Sequence, residues 1–434
     1  MLLVDAIYLL ILAVASPWLV WRRVRLGKNR RGFAQKFLGH APDLSGDQPT
    51  IWLHAVSVGE VNLLPGIIAG LRQRIPGCVP VVSTTTETGY DLAVKKFPNE
   101  TVFFFPFDFS WAVRNALNRV NPRMVVLAEL ELWPNLLKAC QNRCVPVAVI
   151  NARMSDRSHR RFQRFRWLAG RMLCRLNLVI AQTEDYARKF VELGVPAEHA
   201  VVSGNLKFDN ANTNRDSEPI GELRRQLALH PGETVFVAGS TQPDEDELVL
   251  KAWENARQNF PGLRLVVVPR HPHNVPQFCR LLVARGHGYC LRSEFPDSSP
   301  DPNAVIVVDV IGELASWWGI ASVGFVGGSM GSRGGQNMIE PAALAVPVCF
   351  GPNTSNFRDV VNLLLACQGA TVVHNEVELT DFVRTMLGDP AHAASVSKNA
   401  IKLVSGSRGA IERTVDSLSR LFESQSSTSC RRAA

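Results

Sequence analysis

From residue 50 onward, short apolar runs alternate with amphipathic stretches. TIWLHAV, VPVVSTT, TVFFFPF, RMVVLAE, VPVAVINA, LNLVIAQT and AVVSG follow one another, rich in the Val, Ile, Thr and Phe of buried strands. Between them, VNLLPGIIAGLRQRI and DYARKFVELG space their apolar residues three and four apart, which predicts helices that bury one face. This alternation predicts an α/β fold with doubly wound, mainly parallel sheets. The pattern lapses at DNANTNRDSEPIG (209–221), which reads as a linker, and restarts with TVFVAGS, RLVVVPR, AVIVVDV, SVGFVGG, PVCFG and ATVVH. Two Rossmann-like halves facing a cleft are therefore expected, at residues 31–212 and 213–424, with a disordered tail at 425–434. A chain of 434 residues also exceeds what one core usually supports.

Residues 1–30 stand apart. LLVDAIYLLILAVASPWLVW (2–21) is long enough for a bilayer-crossing helix, although Asp5 and Pro17 weaken it, and Arg22, Arg23, Arg25, Lys28, Arg30 and Arg31 follow it. A secretory signal carries its positive charge before the apolar stretch, so a cleaved peptide does not fit. The expected arrangement is a single-pass or peripheral anchor at the inner membrane, with the following domains on the cytoplasmic side and the basic flank against anionic lipids. A buried or interfacial hydrophobic helix is the alternative.

The formal net charge of +8 favours anionic partners such as nucleotides, phosphorylated lipids or a membrane surface. No nucleic-acid-binding signature accompanies it, so no nucleic acid is expected. The nine cysteines form no CxxC pair, and reduced thiols are the reading. No metal or other cofactor is expected: the DED string at 244–246 lies at a predicted helix start, where acidic residues complement the helix dipole.

Candidate chemistry gathers at strand-to-helix junctions, the place where open parallel sheets bind ligands. In HAVSVGE (54–60), Ser57 and Glu60 have capping-box spacing, while a carboxylate at that helix start can also take a proton from an attacking hydroxyl, with Gly59 leaving room. In AELELWPN (128–135), alternation would turn Glu129 and Glu131 to one side and Leu130 to the other. Lys207 stands in GNLKFD (204–209), after the run AVVSG. In the second half, Arg270 and His271 follow an apolar strand in PRHP (269–272) and can hold a phosphate or a base. A glycine-rich loop leads into GGQNMIE (334–340), where Glu340 would meet ribose hydroxyls and the loop N–H groups a phosphate; Asn337 and Glu340 again have capping-box spacing.

HAVSVGE, ELELWPN, INARMS, GNLKFD, PRHP, IGEL, FVGGS with RGGQN, and GPNTSNFRD occur in an order that resembles the bacterial 3-deoxy-D-manno-octulosonic acid (Kdo) transferases of lipopolysaccharide synthesis. The likeness runs from the N-terminus to about residue 360. It implies a GT-B glycosyltransferase moving Kdo from CMP-Kdo to a lipid A precursor (lipid IVA), with residues 31–212 taking the acceptor and 213–424 the donor. By motif match it implies Glu60 as general base and Glu129 and Lys207 as stabilisers of the transition state. CMP would be held by Pro269, Arg270, Ile311, Gly312, Glu313, Asn337, Met338, Ile339 and Glu340. Two departures stand out: Gln336 where the family often has His, and STQPDEDE in place of the usual STHEGEE. Another lipid-directed glycosyltransferase, or a sugar-nucleotide epimerase, shares the architecture. The apolar N-terminus argues against the epimerase, and Glu60, Glu129 and Lys207 argue against a nucleotide sensor.

Overall fold

The computed structural model describes residues 1–26, 31–44, 46, 48–230, 232–295 and 299–432. Lys28 and Arg30 of the basic flank lie outside the described residues. The chain forms two compact units, one from residues 1–210 and 408–434, the other from 211–407.

The first unit is built on β1 (Thr50–His54), β2 (Val79–Thr84), β3 (Thr101–Phe104), β4 (Met124–Ala128), β5 (Val147–Ala152), β6 (Leu178–Ala181) and β7 (Ala200–Val202). They pair in parallel in the order β3-β2-β1-β4-β5-β6-β7. Both faces of the sheet are covered, so each strand is apolar on both sides. Trp52, Val81, Phe103, Val125 and Leu127 enter one core cluster. Ile51, Leu53, Val82, Met124 and Val126 enter the other. Each such side chain contributes about 1.5–3 kcal/mol by leaving water.

The second unit repeats the plan with β8 (Val235–Thr241), β9 (Arg264–Pro269), β10 (Tyr289–Leu291), β11 (Val305–Val307), β12 (Val323–Val326), β13 (Val348–Phe350) and β14 (Thr371–Val372). Their order is β10-β11-β9-β8-β12-β13-β14. Every one of these strands except β10 coincides with an apolar run. β10 is a three-residue edge strand, Tyr-Cys-Leu, without Val or Ile and partly exposed, so it has no signal of its own.

Three expectations need correction. The presumed linker 209–221 already contains the first turn of the helix Glu218–Gln226. The second unit ends at Ser407, not at 424, because the helix Ala410–Arg432 packs on the first unit. It approaches the helix Leu64–Arg74 so closely that a Cβ at Gly66 would stand 2.5 Å from Ile411 Cδ1, and one at Gly70 2.6 Å from Val415 Cγ2. The tail, expected to be disordered, continues that helix to Arg432.

The N-terminal stretch is helical over Leu2–Leu26. Among the described residues no helix is long and apolar enough to cross a membrane. Asp5, which weakened the apolar stretch, docks its amino end: its carboxylate accepts from Ser110 N at 2.8 Å and Asn135 Nδ2 at 2.9 Å. Tyr8 donates to Asp108, which also accepts from Asn135 N and Leu136 N. Outward-facing Ile7, Leu10, Ile11 and Val14 remain exposed.

Candidate active site

In each sheet the first strand sends the chain to one side and a later crossover starts the other side, which creates a switch point between β1 and β4 and between β8 and β12. Ligands of open α/β sheets bind outside the carboxyl ends of the strands at such points. Glu60 follows β1 and Glu129 follows β4, so both flank the first switch point.

Glu60 lies in the short helix Val58–Val61. Its Oε2 accepts from Val56 N at 2.7 Å, and its Oε1 accepts from Ser57 Oγ at 3.0 Å. The expected capping box is therefore absent, since Ser57 Oγ caps no backbone N–H and Glu60 bonds the amide one residue earlier. Burial pushes the Glu60 pKa up, and Glu129 adds to the rise, against the Val56 N–H, the Ser57 hydroxyl and Arg153.

Strand alternation does not arrange Glu129 and Glu131. β4 ends at Ala128 and Glu129 turns into the left-handed region with φ 57°, a strained conformation for a side chain with a Cβ. Beyond that turn the Glu131 pKa is raised to about 7, by burial first and then by the nearby charges of Glu60 and Glu129. Arg153, just beyond β5, reaches Glu129 at 3.4 Å. It belongs to the INARMS motif (150–155), and nothing in its spacing singles it out. Lys207 is five residues past β7 at the sheet edge, and a second strained residue draws its turn inward: Asn151, φ 53°, accepts the Leu206 N–H at 3.2 Å. His54 is core, with its ring stacked on Phe105 at 3.8 Å and its pKa driven down to about 3 by burial.

In the second unit the chosen residues sit at the carboxyl ends of β9, β11 and β12. Pro269 closes β9, and Arg270 is exposed beyond it with its N–H bonded to Thr241 O at 3.0 Å. Arg270 and Glu340 come together: burial raises the Glu340 pKa, while the Asn337 amide and the Arg270 charge pull it down. Asn337 Nδ2 donates to Glu340 Oε1 at 2.9 Å and Asn337 Oδ1 accepts from Ile339 N at 3.1 Å, so this is a side-chain pair and an Asx turn, not a capping box. Met338 and Ile339 bury their side chains in the unit, which leaves only their backbone for a ligand. Glu313 is held by Arg292 at 2.8 Å, Gly312 has φ 102°, and Ile311 is 86% exposed.

The residue that sequence reasoning misread is Glu245. It does not serve the helix start. Fully buried, its carboxylate crosses the second switch point and accepts from Gln242 N at 3.0 Å, Gly328 N at 2.7 Å, Ser329 N at 2.9 Å and Met330 N at 3.0 Å. The first N–H groups of the glycine-rich loop are thus occupied by a protein carboxylate, which corrects the expectation that they face a phosphate. A Cβ on Gly327 would stand 2.8 Å from Glu245 Oε2, so glycine is needed there for close approach. Gln336 lies against Gly328 in the same loop.

The family description 3-deoxy-D-manno-octulosonic-acid transferase (kdotransferase) matches residues 27–210. A protein of Haemophilus influenzae named 3-deoxy-D-manno-octulosonic acid transferase is 31% identical, the match covering 86% of this chain and 87% of that one. One of the same name from Bordetella pertussis is 32% identical over 95% of this chain and 98% of that one. The chain belongs to the Kdo transferase family. The transferase is thus a glycosyltransferase by family. Its fold is also that of UDP-GlcNAc 2-epimerase from Neisseria meningitidis, with TM-score 0.60 at 15% identity over 85% of this chain and 99% of that one. A glycosyltransferase from Rickettsia africae is similar, with TM-score 0.57 at 11% identity over 87% and 99%. Two parallel α/β units of the GT-B kind are common to these folds. Among the described residues of the transferase, no cluster of three or more His, Cys, Asp or Glu is disposed to hold a metal ion.

Proposed function

We propose that the protein transfers Kdo from CMP-Kdo to a lipid A precursor, with inversion at the anomeric carbon and Glu60 as the base. The observation that carries this reading is the half-buried Glu60 carboxylate at the first switch point, fixed by Val56 N–H and the Ser57 hydroxyl and neighboured by Glu129, Glu131 and Arg153. A Cβ at Gly59 would meet nothing nearer than Ser57 Oγ at 3.8 Å, so the fold does not demand glycine, and the clearance serves an approaching acceptor.

Glu60 takes the proton of the acceptor hydroxyl as its oxygen bonds to the anomeric carbon, and CMP departs with the electron pair of the broken bond. Lys207 and Glu129 stabilise the charge that develops at the sugar. CMP is held by Arg270 and by Asn337 and Glu340, with Pro269 and the backbones of Met338 and Ile339 shaping the site. Ile311, too exposed for its size, offers an apolar surface to the base, and Gly312 and Glu313 complete that loop. The first unit, 31–212 by the sequence boundary, is the acceptor side, and the second the donor side. Membrane association at the inner face of the cytoplasmic membrane follows from the lipid acceptor and from the exposed apolar face of the helix Leu2–Leu26. The direct test is CMP release by the purified protein given CMP-Kdo and tetraacylated lipid A precursor; absence of release under detergent and vesicle conditions alike refutes the reading.

Arg270→Ala is expected to weaken CMP binding, measured by calorimetry, while Lys207→Ala lowers the rate of transfer and leaves CMP affinity in place. Unchanged CMP affinity in Arg270→Ala removes that residue from the donor site. The pH profile gives a second handle. A base must be ionised to act, so activity falls as pH drops through the Glu60 pKa, which lies above the ordinary carboxylate value. Arg153 pulls that pKa down, so Arg153→Met should shift the acid limb to higher pH and Arg153→Lys should restore most of it. An unmoved limb in Arg153→Met means the guanidinium does not act on the base.

A further inference from the structure

The helix Ala410–Arg432 starts without a local cap, because the residue before it is Gly409, whose φ of 87° makes the turn and which has no side chain to accept a bond. The cap comes from 200 residues upstream. Asp209 accepts from Gly409 N at 2.7 Å with Oδ1 and from Ile411 N with Oδ2, two of the N–H groups that a helix start leaves free. Arg413, in the next part of that turn, donates from Nε to Ser203 O at 2.8 Å and from Nη2 to Arg408 O at 3.1 Å. A Cβ on Gly409 would stand 2.8 Å from Arg413 Nη1, so glycine lets the guanidinium fold back. These bonds bracket one short segment. Between Ser203 and Asp209 lie Leu206, which is fully buried in the core of the first unit and bonds its N–H to Asn151 Oδ1, the buried Phe208, and Lys207 between them.

We propose that Asp209 and Arg413 are positioning residues for the transfer reaction, using the first turn of the returning helix as a brace that fixes the turn of Lys207. The inference rests on the role proposed for Lys207. Residues 203–210 belong to no strand or helix, so no ladder of backbone bonds holds them in place. An ammonium on a flexible four-carbon stem stabilises developing charge only if its backbone is fixed, because catalysis depends on orientation set before the reaction. The brace supplies that restraint at both ends, through Arg413 at Ser203 and through the helix start at Asp209. Helix stability alone does not call for this arrangement. A local Ser or Asp cap would contribute the usual ~1 kcal/mol equally well, whereas a cap drawn from Asp209 also ties the helix start to the Lys207 segment. The returning helix, packed on the helix Leu64–Arg74 at Gly66 and Gly70, gives the brace a rigid footing.

A double-mutant cycle on the full chain tests the proposal, with the single-turnover rate of transfer to detergent-dispersed acceptor as the readout. Asp209→Ala should lower that rate about tenfold, as a loss of orientation does, and leave CMP affinity at the wild-type value, because the proposed nucleotide residues belong to the second unit. In a Lys207→Ala background the same substitution should cost less than about twofold, since the side chain it positions is gone. Asp209→Asn keeps the size and one acceptor oxygen and should fall between wild type and Asp209→Ala; it carries the cycle if Asp209→Ala does not fold. Arg413→Met should show the same dependence on Lys207. A full tenfold loss in both backgrounds overturns the proposal and leaves Asp209 a cap that serves stability only, and a wild-type rate in Asp209→Ala overturns it as well. If Lys207→Ala slows transfer but the cycle is additive, the brace falls and the role of Lys207 stands. If Lys207→Ala leaves the rate unchanged, the role of Lys207 falls and takes the brace with it.

Discussion

Glu60→Gln should lower turnover by about two or more orders of magnitude while CMP affinity stays close to wild type. The amide keeps one oxygen for the Val56 N–H but cannot take a proton, and it changes the Ser57 contact without emptying it. Loss of one charge-assisted bond at this half-buried position should cost about 1 kcal/mol of stability, too little to unfold the unit. The variant thus separates the two meanings of a carboxylate at a helix start. Single-turnover kinetics with CMP-Kdo, alongside thermal unfolding, make the comparison; activity within a few-fold of wild type would falsify the assignment of Glu60 as base. Glu131 is the control. Its pKa is raised to about 7 by burial and by the charges of Glu60 and Glu129, and Glu131→Gln should lower the rate far less than Glu60→Gln.

Glu245→Ala is expected to have the largest effect on stability. Four backbone N–H groups converge on this one buried carboxylate, three of them from the loop Gly328–Met330. Removing it leaves buried donors without an acceptor, at about 1–3 kcal/mol each, so a loss of about 4 kcal/mol or more is expected after partial rehydration. The same loop continues to Asn337 and Glu340, and its collapse should abolish measurable CMP binding. Glu245→Gln should be intermediate, because its oxygen can accept but its amide group points donors at donors. Denaturant unfolding followed by calorimetry with CMP tests both parts. A Glu245→Ala protein with wild-type stability means the loop holds its own shape; one that is destabilised yet binds CMP normally means the loop's shape is irrelevant to the nucleotide.

How far the sequence reached can be seen at single residues. The apolar runs located thirteen of the strands because a parallel sheet covered on both faces needs uninterrupted Val, Ile and Phe, whereas the edge strand Tyr289–Leu291 lacks that requirement and its signal. Glu60 and Glu129 were legible as carboxylates at strand ends. Their common address was not, because it depends on β1 and β4 being neighbours in space with β2 and β3 between them in the chain. Capping-box spacing misled at Ser57–Glu60 and Asn337–Glu340: spacing states which groups can meet, while the backbone angles decide which N–H is presented.

Two repeated α/β units, the apolar N-terminal stretch and the ordered motifs that carry the family resemblance are legible along the chain, because hydrophobic period and local spacing are properties of neighbouring residues. Folding adds that Asp5 docks the first helix, that Arg153 joins Glu129, that Glu245 fills the turn of the glycine loop, and that the last helix returns to the first unit. Each of these contacts joins residues far apart in the chain or set by a backbone turn such as the positive φ of Glu129 and Asn151. Their energy comes from burial and hydrogen-bond geometry that exist only once the sheets have closed, so no period along the chain encodes them.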